Sequence, residues 1–270
     1  MTRTRQKLEQ LSRYDNLTGA YNDGEFRSLL TQACSQKIPL MLVALNLRNF
    51  KYINETYGLS TADQFLCRIK CCLDTICRPE EFFCRQSADV FYLALRETQA
   101  EPAVERIQTL LKLIQKEASQ LLEEYSVSVY CGCVLTAAAP EPFSADAKHN
   151  YMMAALAQGK KDKKQSICIY DEALHEAEQM RLYVESHMQH ALEQGEFRMY
   201  LQPKMDLHTG LLTGAEALVR WQTKDRGLLF PDQFIPLYGG AGLQAAAAMD
   251  QSRTDAHQHL RQPDQAAVCQ

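Results

Sequence analysis

The turn Ser87–Asp89 carries an acidic side chain whose type is suited to metal or phosphate chemistry. It separates two apolar runs, FFCRQ and VFYLAL, which are typical of two short strands joined as a hairpin. Its one acid is Asp89, and carboxylate oxygens are preferred ligands of Mg²⁺. Val90 follows where a second acid would be useful, and no glycine leaves the main chain open to a phosphate. The turn therefore has one group of a metal–phosphate site and lacks the others.

Cysteines could supply a different chemistry, since the chain has ten of them. Cys67 and Cys71 are one helical turn apart with Cys72 beside them, and Cys131 and Cys133 alternate in an apolar run. The sequence contains no CxxC pair and no Cys/His ligand spacing, which argues against zinc. Because free cysteine behaves as a small apolar residue, we expect all ten to be core residues.

Composition excludes two classes of partner. The net charge is −4 and the pI is about 6.0, so no basic field attracts nucleic acid or anionic lipid. The longest apolar run starts at Ile38 and is far shorter than the roughly 18 residues of a membrane span. The N-terminal segment lacks the apolar stretch of a secretory signal. We expect a cytoplasmic protein without nucleic-acid binding or a membrane span.

Helices and strands are expected to alternate through the first 171 residues. Apolar residues at helical spacing predict helices over 3–14, 25–34, 50–77 with an interruption near Gly58, 101–122 and 147–158. Continuous or alternating apolar runs predict strands over 38–45, 82–86, 90–95, 125–135 and 166–170. This order indicates an α/β domain, or an α+β domain with a mixed sheet.

The remaining residues form a second part of the chain. A charged amphipathic helix over 172–195 is expected to link the first domain to a unit over 196–238, which begins with the strands FRMYLQP and LTGAEALVRW. Residues 239–270 are rich in Ala and Gln and have few large apolar side chains. Such a segment cannot bury enough surface to offset its ordering entropy, so we expect it to be disordered.

Four motifs, in order, resemble the GGDEF domain of diguanylate cyclases. DNLTGAYN, from Asp15, is similar to DxLTGLxN, and LNLRNFKYINETYG, from Leu45, is similar to DxDxFKxxND. RQSADVF, from Arg85, occupies the place of RxGGDEF, and YSVSVYCGC resembles the closing strand VTVSIGI. The resemblance covers residues 8–171. It implies an α+β fold, the ferredoxin-like palm of nucleotide cyclases, for residues 15–171, with a helix over 1–14 before it.

The resemblance also implies a reaction, the condensation of two GTP molecules into cyclic di-GMP by a dimer that uses Mg²⁺. The family binds this ion through the first acid of DxDxF and the third letter of GGDEF, which are Asn46 and Asp89 here. Arg48 replaces the second acid of DxD, and Val90 replaces the glutamate of the signature. One metal carboxylate of two is left, so we expect Mg²⁺ binding to be weak or absent.

The signature is degenerate in its glycines as well. It reads Ser87, Ala88, Asp89, Val90 and Phe91, so both glycines have become residues with a Cβ atom. The glycines let the main chain approach phosphates closely, and serine or alanine fits there only where φ is negative. We therefore assign no catalytic residue with this signature and expect the domain to be inactive as a cyclase.

Nucleotide recognition is the part of the family pattern that is retained. Asn54 and Asp63 match positions that read the guanine edge, and Lys51 matches a lysine on the phosphate side. Each alone could be an ordinary surface residue, but three in register favour purine binding. Lys160 and Lys161 could add phosphate contacts, but a solvated basic turn is the favoured interpretation of these two residues.

Another family feature, an inhibitory site of the form RxxD, has a counterpart upstream of the signature. Here RPEE places Arg78 and Glu81 at the same spacing, with glutamate in place of aspartate. Arginine suits bidentate contacts to phosphate or guanine. A surface ion pair is the alternative explanation of these two residues.

Residues 196–237 resemble the start of an EAL phosphodiesterase domain. Glu216 matches its first metal ligand and Arg220 a contact to the substrate phosphate. The other ligands of that family come from later strands of a (β/α) barrel, which needs roughly 200–250 residues. We expect a truncated EAL domain that consists of the first β-hairpin of an incomplete barrel, with Glu216 an isolated ligand and no phosphodiesterase activity.

These observations predict a cyclic-di-GMP signalling protein whose GGDEF domain binds GTP or cyclic di-GMP as a regulatory ligand without making the product. The resemblance implies a homodimer, or other GGDEF or EAL proteins, as partners. The alternative is an interaction module, or a non-functional fragment, that binds no ligand. A slow diguanylate cyclase is the third interpretation.

Overall fold

The structure of the protein, a computed structural model, describes residues 12–123, 125–140, 144–162 and 166–237. The chain forms two compact units, and the division falls between His175 and Glu176. Of the predicted helix over 3–14, residues 12 and 13 are helical and residues 3–11 lie outside the described residues, as does the predicted disordered segment from 239 onward.

The first unit is an α+β domain, as the sequence predicted. Its described elements, in chain order, are α1 (Asp23–Ser35), β1 (Met41–Leu47), α2 (Phe50–Tyr57), α3 (Leu59–Ile76), β2 (Phe82–Ser87), β3 (Val90–Leu95), α4 (Ala100–Leu121), β4 (Val129–Leu135), α5 (Ala145–Lys161) and β5 (Ile167–Ile169). The predicted break between the two helices that follow β1 occurs at Gly58, whose φ of 82° is readily adopted only by glycine.

The five strands form one mixed sheet in the order β2–β3–β1–β4–β5. β2 and β3, β3 and β1, and β1 and β4 pair in antiparallel fashion, whereas β4 and β5 are parallel. β4 begins at Val129, four residues later than the alternating pattern predicted. The long β1 lies in the middle of the sheet, which explains its continuous apolar sequence.

Helices cover both faces of the sheet. Alternate residues of β1, namely Met41, Val43 and Leu45, pack with α3 and α4, whereas Leu42 and Ala44 pack with α1 and α5. Gly132 of β4 lies directly against α5, where an added Cβ would be 2.1 Å from the main-chain nitrogen of Leu156. The end of β1 is therefore held in position by helices that pack against both faces of the sheet.

The cysteines only partly follow the prediction of a core role. Five of them, Cys34, Cys72, Cys84, Cys131 and Cys133, are buried, and Cys67, Cys77 and Cys168 are half-buried. Cys71 is exposed, so the prediction was wrong for this residue, which lies on the solvent side of α3. Cys269 lies outside the described residues.

The second unit is built on a long hairpin. Helix α6 (Glu172–Glu193) leads into β6 (Phe197–Met205), β7 (Leu212–Gln222), β8 (Leu228–Leu229), α7 (Pro231–Phe234) and a 3₁₀ turn (Ile235–Leu237). Trp221 is buried against Val184 and Met188 of α6, and its indole N–H donates to Glu196 at 3.1 Å. The base of the hairpin is packed in this way, whereas most residues of β6 and of the first half of β7 are exposed.

No helix in the described ranges combines the length and the hydropathy that crossing a bilayer would need.

Candidate functional site

The turn between β2 and β3 carries the predicted signature. Ser87 ends β2, Val90 begins β3, and the register shifts between Arg85 and Ser87. Ala88 has a φ of 42°, so an alanine adopts the left-handed conformation that favours glycine. The sequence predicts a negative φ for an alanine that fits at this position. The turn has instead kept the glycine-type backbone after the glycine was replaced.

Asp89 and Asn46 meet at the end of β1, although 43 residues separate them in the sequence. The Asn46 side-chain amide donates to Oδ2 of Asp89 at 2.8 Å, and both residues are half-buried. Burial raises the pKa of Asp89, and its own main-chain amide, Lys160 and Asn46 offset this effect only in part. The structure thus joins the two predicted metal positions, but as a hydrogen-bonded pair of one acid and one neutral amide.

Tyr130 completes a row across three strands that the sequence analysis did not identify. Asn46 is paired with Val90 on one side and with Tyr130 on the other. Val90 and Tyr130 pack at the edge of the same core cluster, on the face covered by α1 and α5. A signal was present in the sequence, because aligning Gly132 with the glycine of VTVSIGI puts Tyr130 where that pattern has serine. The row therefore presents no acid beside Asp89.

An ion pair fixes the turn to the segment before α1. Arg85 donates from Nε to the Ala88 carbonyl at 2.9 Å and from a terminal nitrogen to both Asp15 oxygens at 3.2 and 3.3 Å. Asp15 also accepts from the main-chain N–H and the hydroxyl of Thr18. Burial works against the charged form of Asp15, but these donors outweigh it and keep its pKa below the usual range.

Next to this ion pair, an open pocket of about 620 Å³ contains Asp63. Its lining residues are Leu17, Ser60, Asp63, Gln64, Cys67 and Arg68. Asp63 is exposed one turn into α3, so its carboxylate is available to a ligand. Asn54 is half-buried on α2 and is not part of the lining, and Lys51 is 87% exposed and pairs with Glu55 at 3.5 Å. The structure therefore places one of the three predicted nucleotide contacts in this pocket.

Two lysines follow at the end of α5. Both are exposed, and Lys160 is near enough to Asp89 to favour its charged form. Lys161 is the last residue of the helix. The structure connects Lys160, but not Lys161, with the signature turn.

The residues at this site do not fit the Mg²⁺ ions that the family uses. Mg²⁺ requires near-octahedral oxygen ligands, usually one or two carboxylates with phosphates and waters. Of positions 46, 48, 89 and 90, where the family pattern has acids, Asp89 alone is acidic, and the Asn46 amide donates to it. Across the described ranges, no group of three His, Cys, Asp or Glu side chains could hold a metal ion.

Arg78 and Glu81, the predicted inhibitory pair, have different surroundings. The Glu81 side chain is fully buried and accepts hydrogen bonds from the Arg106 guanidinium and from the main-chain amides of Arg78 and Arg96. Burial alone would raise the pKa of Glu81, but these donors lower it. The Arg78 guanidinium is largely exposed and contacts Glu97 at 3.1 Å. Glu81 is thus bound within the protein, whereas Arg78 is accessible.

The two residues predicted from the EAL resemblance lie on β7. Glu216 is half-exposed and pairs with Lys204 at 3.1 Å. The Arg220 guanidinium lies 4.6 Å from the centroid of the Phe230 ring and donates to the Val219 carbonyl at 2.7 Å. Both are near the surface of the hairpin, and each has a partner within it.

Comparison with known proteins decides which family has this arrangement. The family model described as the diguanylate cyclase GGDEF domain matches residues 12–166. The chain belongs to the GGDEF family. The EAL domain model matches residues 185–266, so an EAL sequence follows the GGDEF domain. The predicted order of the two families is confirmed, and the match extends into residues beyond 238, which lie outside the described ranges.

Curated relatives are GGDEF–EAL proteins that are much longer than this chain. The bifunctional diguanylate cyclase/cyclic di-GMP phosphodiesterase MucR of Pseudomonas aeruginosa is 26% identical over 250 residues. The aligned region is 90% of this chain but 36% of MucR, so the chain spans about a third of that relative.

Solved structures confirm the predicted fold class. A microbial GGDEF domain studied with bis-(3,5)-cyclic di-GMP aligns with 60% of this chain and 99% of its own, with 19% identity and a TM-score of 0.51. A Vibrio cholerae LapD segment with S helix, GGDEF and EAL domains, bound to c-di-GMP, aligns with 97% of this chain and 62% of its own, with 14% identity and a TM-score of 0.55. At these identities the likeness establishes the fold alone.

Proposed function

We propose that this GGDEF domain binds a guanine nucleotide as a regulatory ligand and does not condense GTP into cyclic di-GMP. The observation that carries the proposal is the hydrogen bond from the Asn46 amide to Asp89, which puts a neutral donor where the family pattern has a second metal carboxylate. The role is one in cyclic-di-GMP signalling, and it requires the domain to lie in the cytoplasm, where guanine nucleotides are found.

The argument against catalysis is electrostatic. Condensation of two GTP molecules needs a 3′-hydroxyl to become nucleophilic and needs charge on the phosphates to be neutralised, and in this family Mg²⁺ supplies both effects. Losing a single electrostatic contact to a transition state typically slows a reaction by about 10²–10³-fold. Here Asn46 and Val90 both lack the charge of the family pattern, and Ala88 adds a Cβ beside the phosphate position. The combined loss makes turnover negligible.

The argument for ligand binding is the pocket beside the turn. Asp63 provides a carboxylate that can accept from the N1–H and the amino group of guanine. Leu17 and Cys67 give the pocket an apolar wall, and the Asp15–Arg85 pair fixes the adjacent turn. This division of a site into a retained base pocket and an altered phosphate end supports binding without turnover.

No phosphodiesterase activity is proposed for residues 196–237. Glu216 is the one acid there that matches an EAL metal ligand, and its carboxylate is already paired with Lys204. A single carboxylate with a cation as its neighbour cannot hold a catalytic metal pair.

Calorimetry with GTP and with cyclic di-GMP, each with Mg²⁺, tests the proposal. We expect GTP binding that is lost in Asp63→Ala and weakened in Asn54→Ala. Asp74→Ala is the matched control, because Asp74 lies on the same helix but pairs with Lys70 at 2.7 Å outside the pocket. If neither nucleotide gives heat, the proposal is wrong and the result supports the alternative, an interaction module or non-functional fragment that binds no ligand.

A product assay tests the absence of turnover. Linear pppGpG or cyclic di-GMP that accumulates with GTP and Mg²⁺, and that disappears in Asp89→Asn, would refute the inactive assignment. The combined variant Asn46→Asp, Ser87→Gly, Ala88→Gly and Val90→Glu serves as the positive control. Activity in this variant alone would show that the four substitutions account for the inactivity.

A further inference from the structure

The phosphate end of the site lacks the negative charge that a magnesium site needs. At the four positions where the family pattern has acids, this chain has Asn46, Arg48, Asp89 and Val90. The formal charge of these positions is therefore zero, whereas four acids would give −4. A site that has lost this much negative charge no longer attracts a divalent cation, but its repulsion of a bare polyphosphate is also removed.

The one remaining negative charge is already compensated by the protein. Asp89 accepts from the Asn46 amide at 2.8 Å and lies in the field of the Lys160 ammonium. A Mg²⁺ ion bound to Asp89 would have to share the carboxylate with the amide donor and tolerate a nearby like charge. The Asn46 amide thus satisfies Asp89 as a hydrogen-bond donor, and Lys160 supplies positive charge near it.

Two cations are left for an anionic ligand. Arg48 is half-buried, and its main-chain N–H donates to the Ser128 carbonyl at 2.8 Å, so the pairing of β1 with the β4 chain continues past Asn46. Arg48 follows β1 in the turn that leads to α2, two residues beyond Asn46. Lys160 is exposed at the end of α5. Within the part of the chain that the structure describes, neither side chain forms an ion pair with an acid at salt-bridge distance.

We infer that this domain binds its guanine nucleotide without a metal ion, with Lys160 and Arg48 contacting the phosphates in place of Mg²⁺. This inference rests on the proposed function, and it defines the ligand as a guanine nucleotide with unchelated phosphates. Arginine and lysine are both suited to this role, the former through bidentate contacts and the latter as a point charge.

The test is calorimetry of the full chain with GTP in two buffers, one with excess EDTA and one with excess MgCl₂. We expect the affinity in EDTA to equal or exceed that in MgCl₂. Lys160→Ala should weaken binding in EDTA by about tenfold, the effect of losing one charge-assisted phosphate contact. Lys112→Ala, an exposed lysine on α4, should leave binding unchanged.

The outcomes separate this inference from the proposed function. Binding that appears only with MgCl₂, or binding in EDTA that Lys160→Ala leaves intact, overturns the inference and leaves the proposed function standing. No binding in either buffer overturns both. The double variant Asn46→Asp, Val90→Glu gives a second readout, because restoring two acids should make GTP binding at least tenfold stronger with MgCl₂ than with EDTA.

Discussion

Ala88→Gly should stabilise the protein, although glycine usually destabilises. Ala88 has a φ of 42° in the turn between β2 and β3, and its side chain is exposed. The methyl group therefore contributes little packing. Its main-chain carbonyl accepts from Arg85 at 2.9 Å, a contact that the substitution leaves in place. Only the backbone conformational energy changes.

The magnitude follows from two opposing effects. An L-residue in the left-handed region costs about 1–2 kcal/mol, which glycine does not incur. Glycine has more freedom in the unfolded chain, which lowers stability by about 0.5–1 kcal/mol. The free energy of unfolding of the first unit should therefore rise by about 0.5–1 kcal/mol. For a unit of this size that corresponds to an increase in Tm of about 1–4 °C.

The chain contains its own reference for this measurement. Trp221 is the single tryptophan, and it is buried in the second unit. Far-UV circular dichroism in urea reports on both units, whereas tryptophan fluorescence reports on the second. Ala88→Gly should shift the transition of the first unit and leave the fluorescence transition unchanged.

The control is a glycine substitution that should lower the free energy of unfolding. Ala157 is an exposed residue within helix α5, where glycine should cost about 0.5–1 kcal/mol. If Ala88→Gly destabilises as much as Ala157→Gly does, then Ala88 is not strained, and the argument that the turn has kept a glycine-type backbone is wrong.

Three further predictions concern the core of the first unit. Arg106→Met should lower the free energy of unfolding by about 3–5 kcal/mol in urea titrations, because it leaves the buried Glu81 carboxylate without its cation. Gly132→Ala should cost at least the roughly 1–3 kcal/mol of an overpacked core, measured by loss of Tm, since its Cβ would meet the Leu156 main chain. Stability should fall in acid: Glu81 and Asp15 have folded-state pKa values below those of the unfolded chain, so their contribution is present above about pH 4.3 and is lost as the pH decreases.

Matched variants control these three measurements. Arg68→Met removes the half-buried Arg68–Glu117 pair, in which both side chains keep contact with solvent, and should cost about 1 kcal/mol or less. Gly24→Ala in α1 places its Cβ at an ordinary distance of 3.4 Å from the Asn22 side chain and should not destabilise. The acid-dependent loss should be smaller in Arg106→Met, because Glu81 then gains less from ionising. An unchanged slope would show that another group is responsible.

The periodicity of apolar residues in the sequence was sufficient to predict the helices and strands, but it did not predict the contacts of the site. The helix that became α4 and the strands β1 and β3 follow from their apolar patterns, because burial of one face decides them. The start of β4 was predicted too early, since Ser126 and Ser128 alternate with apolar residues without belonging to the strand. The Asn46–Asp89 contact depends on the register of β1 against β3, which no local pattern specifies.

The burial of Glu81 could not be predicted from the sequence for a related reason. Its partner Arg106 lies on α4, 25 residues away, and the spacing of Arg78 and Glu81 drew attention to a pair whose side chains have different partners. Spacing within a motif identifies which residues a family uses for a ligand. It does not show which of these side chains already have a partner within the folded protein.

The substitutions at the phosphate end are consistent as a group, and this consistency argues against independent decay of the signature. With Asp89 half-buried, an acid at position 46 would bring two carboxylates together and require a cation between them. Asparagine removes that requirement and donates to the remaining acid. Val90 and Tyr130 flank Asn46 in the sheet and add no acid beside it. Asn46 satisfies its neighbour Asp89, whereas Ala88 keeps a strained backbone conformation, so the argument for adaptation depends on the pairing of positions 46 and 89.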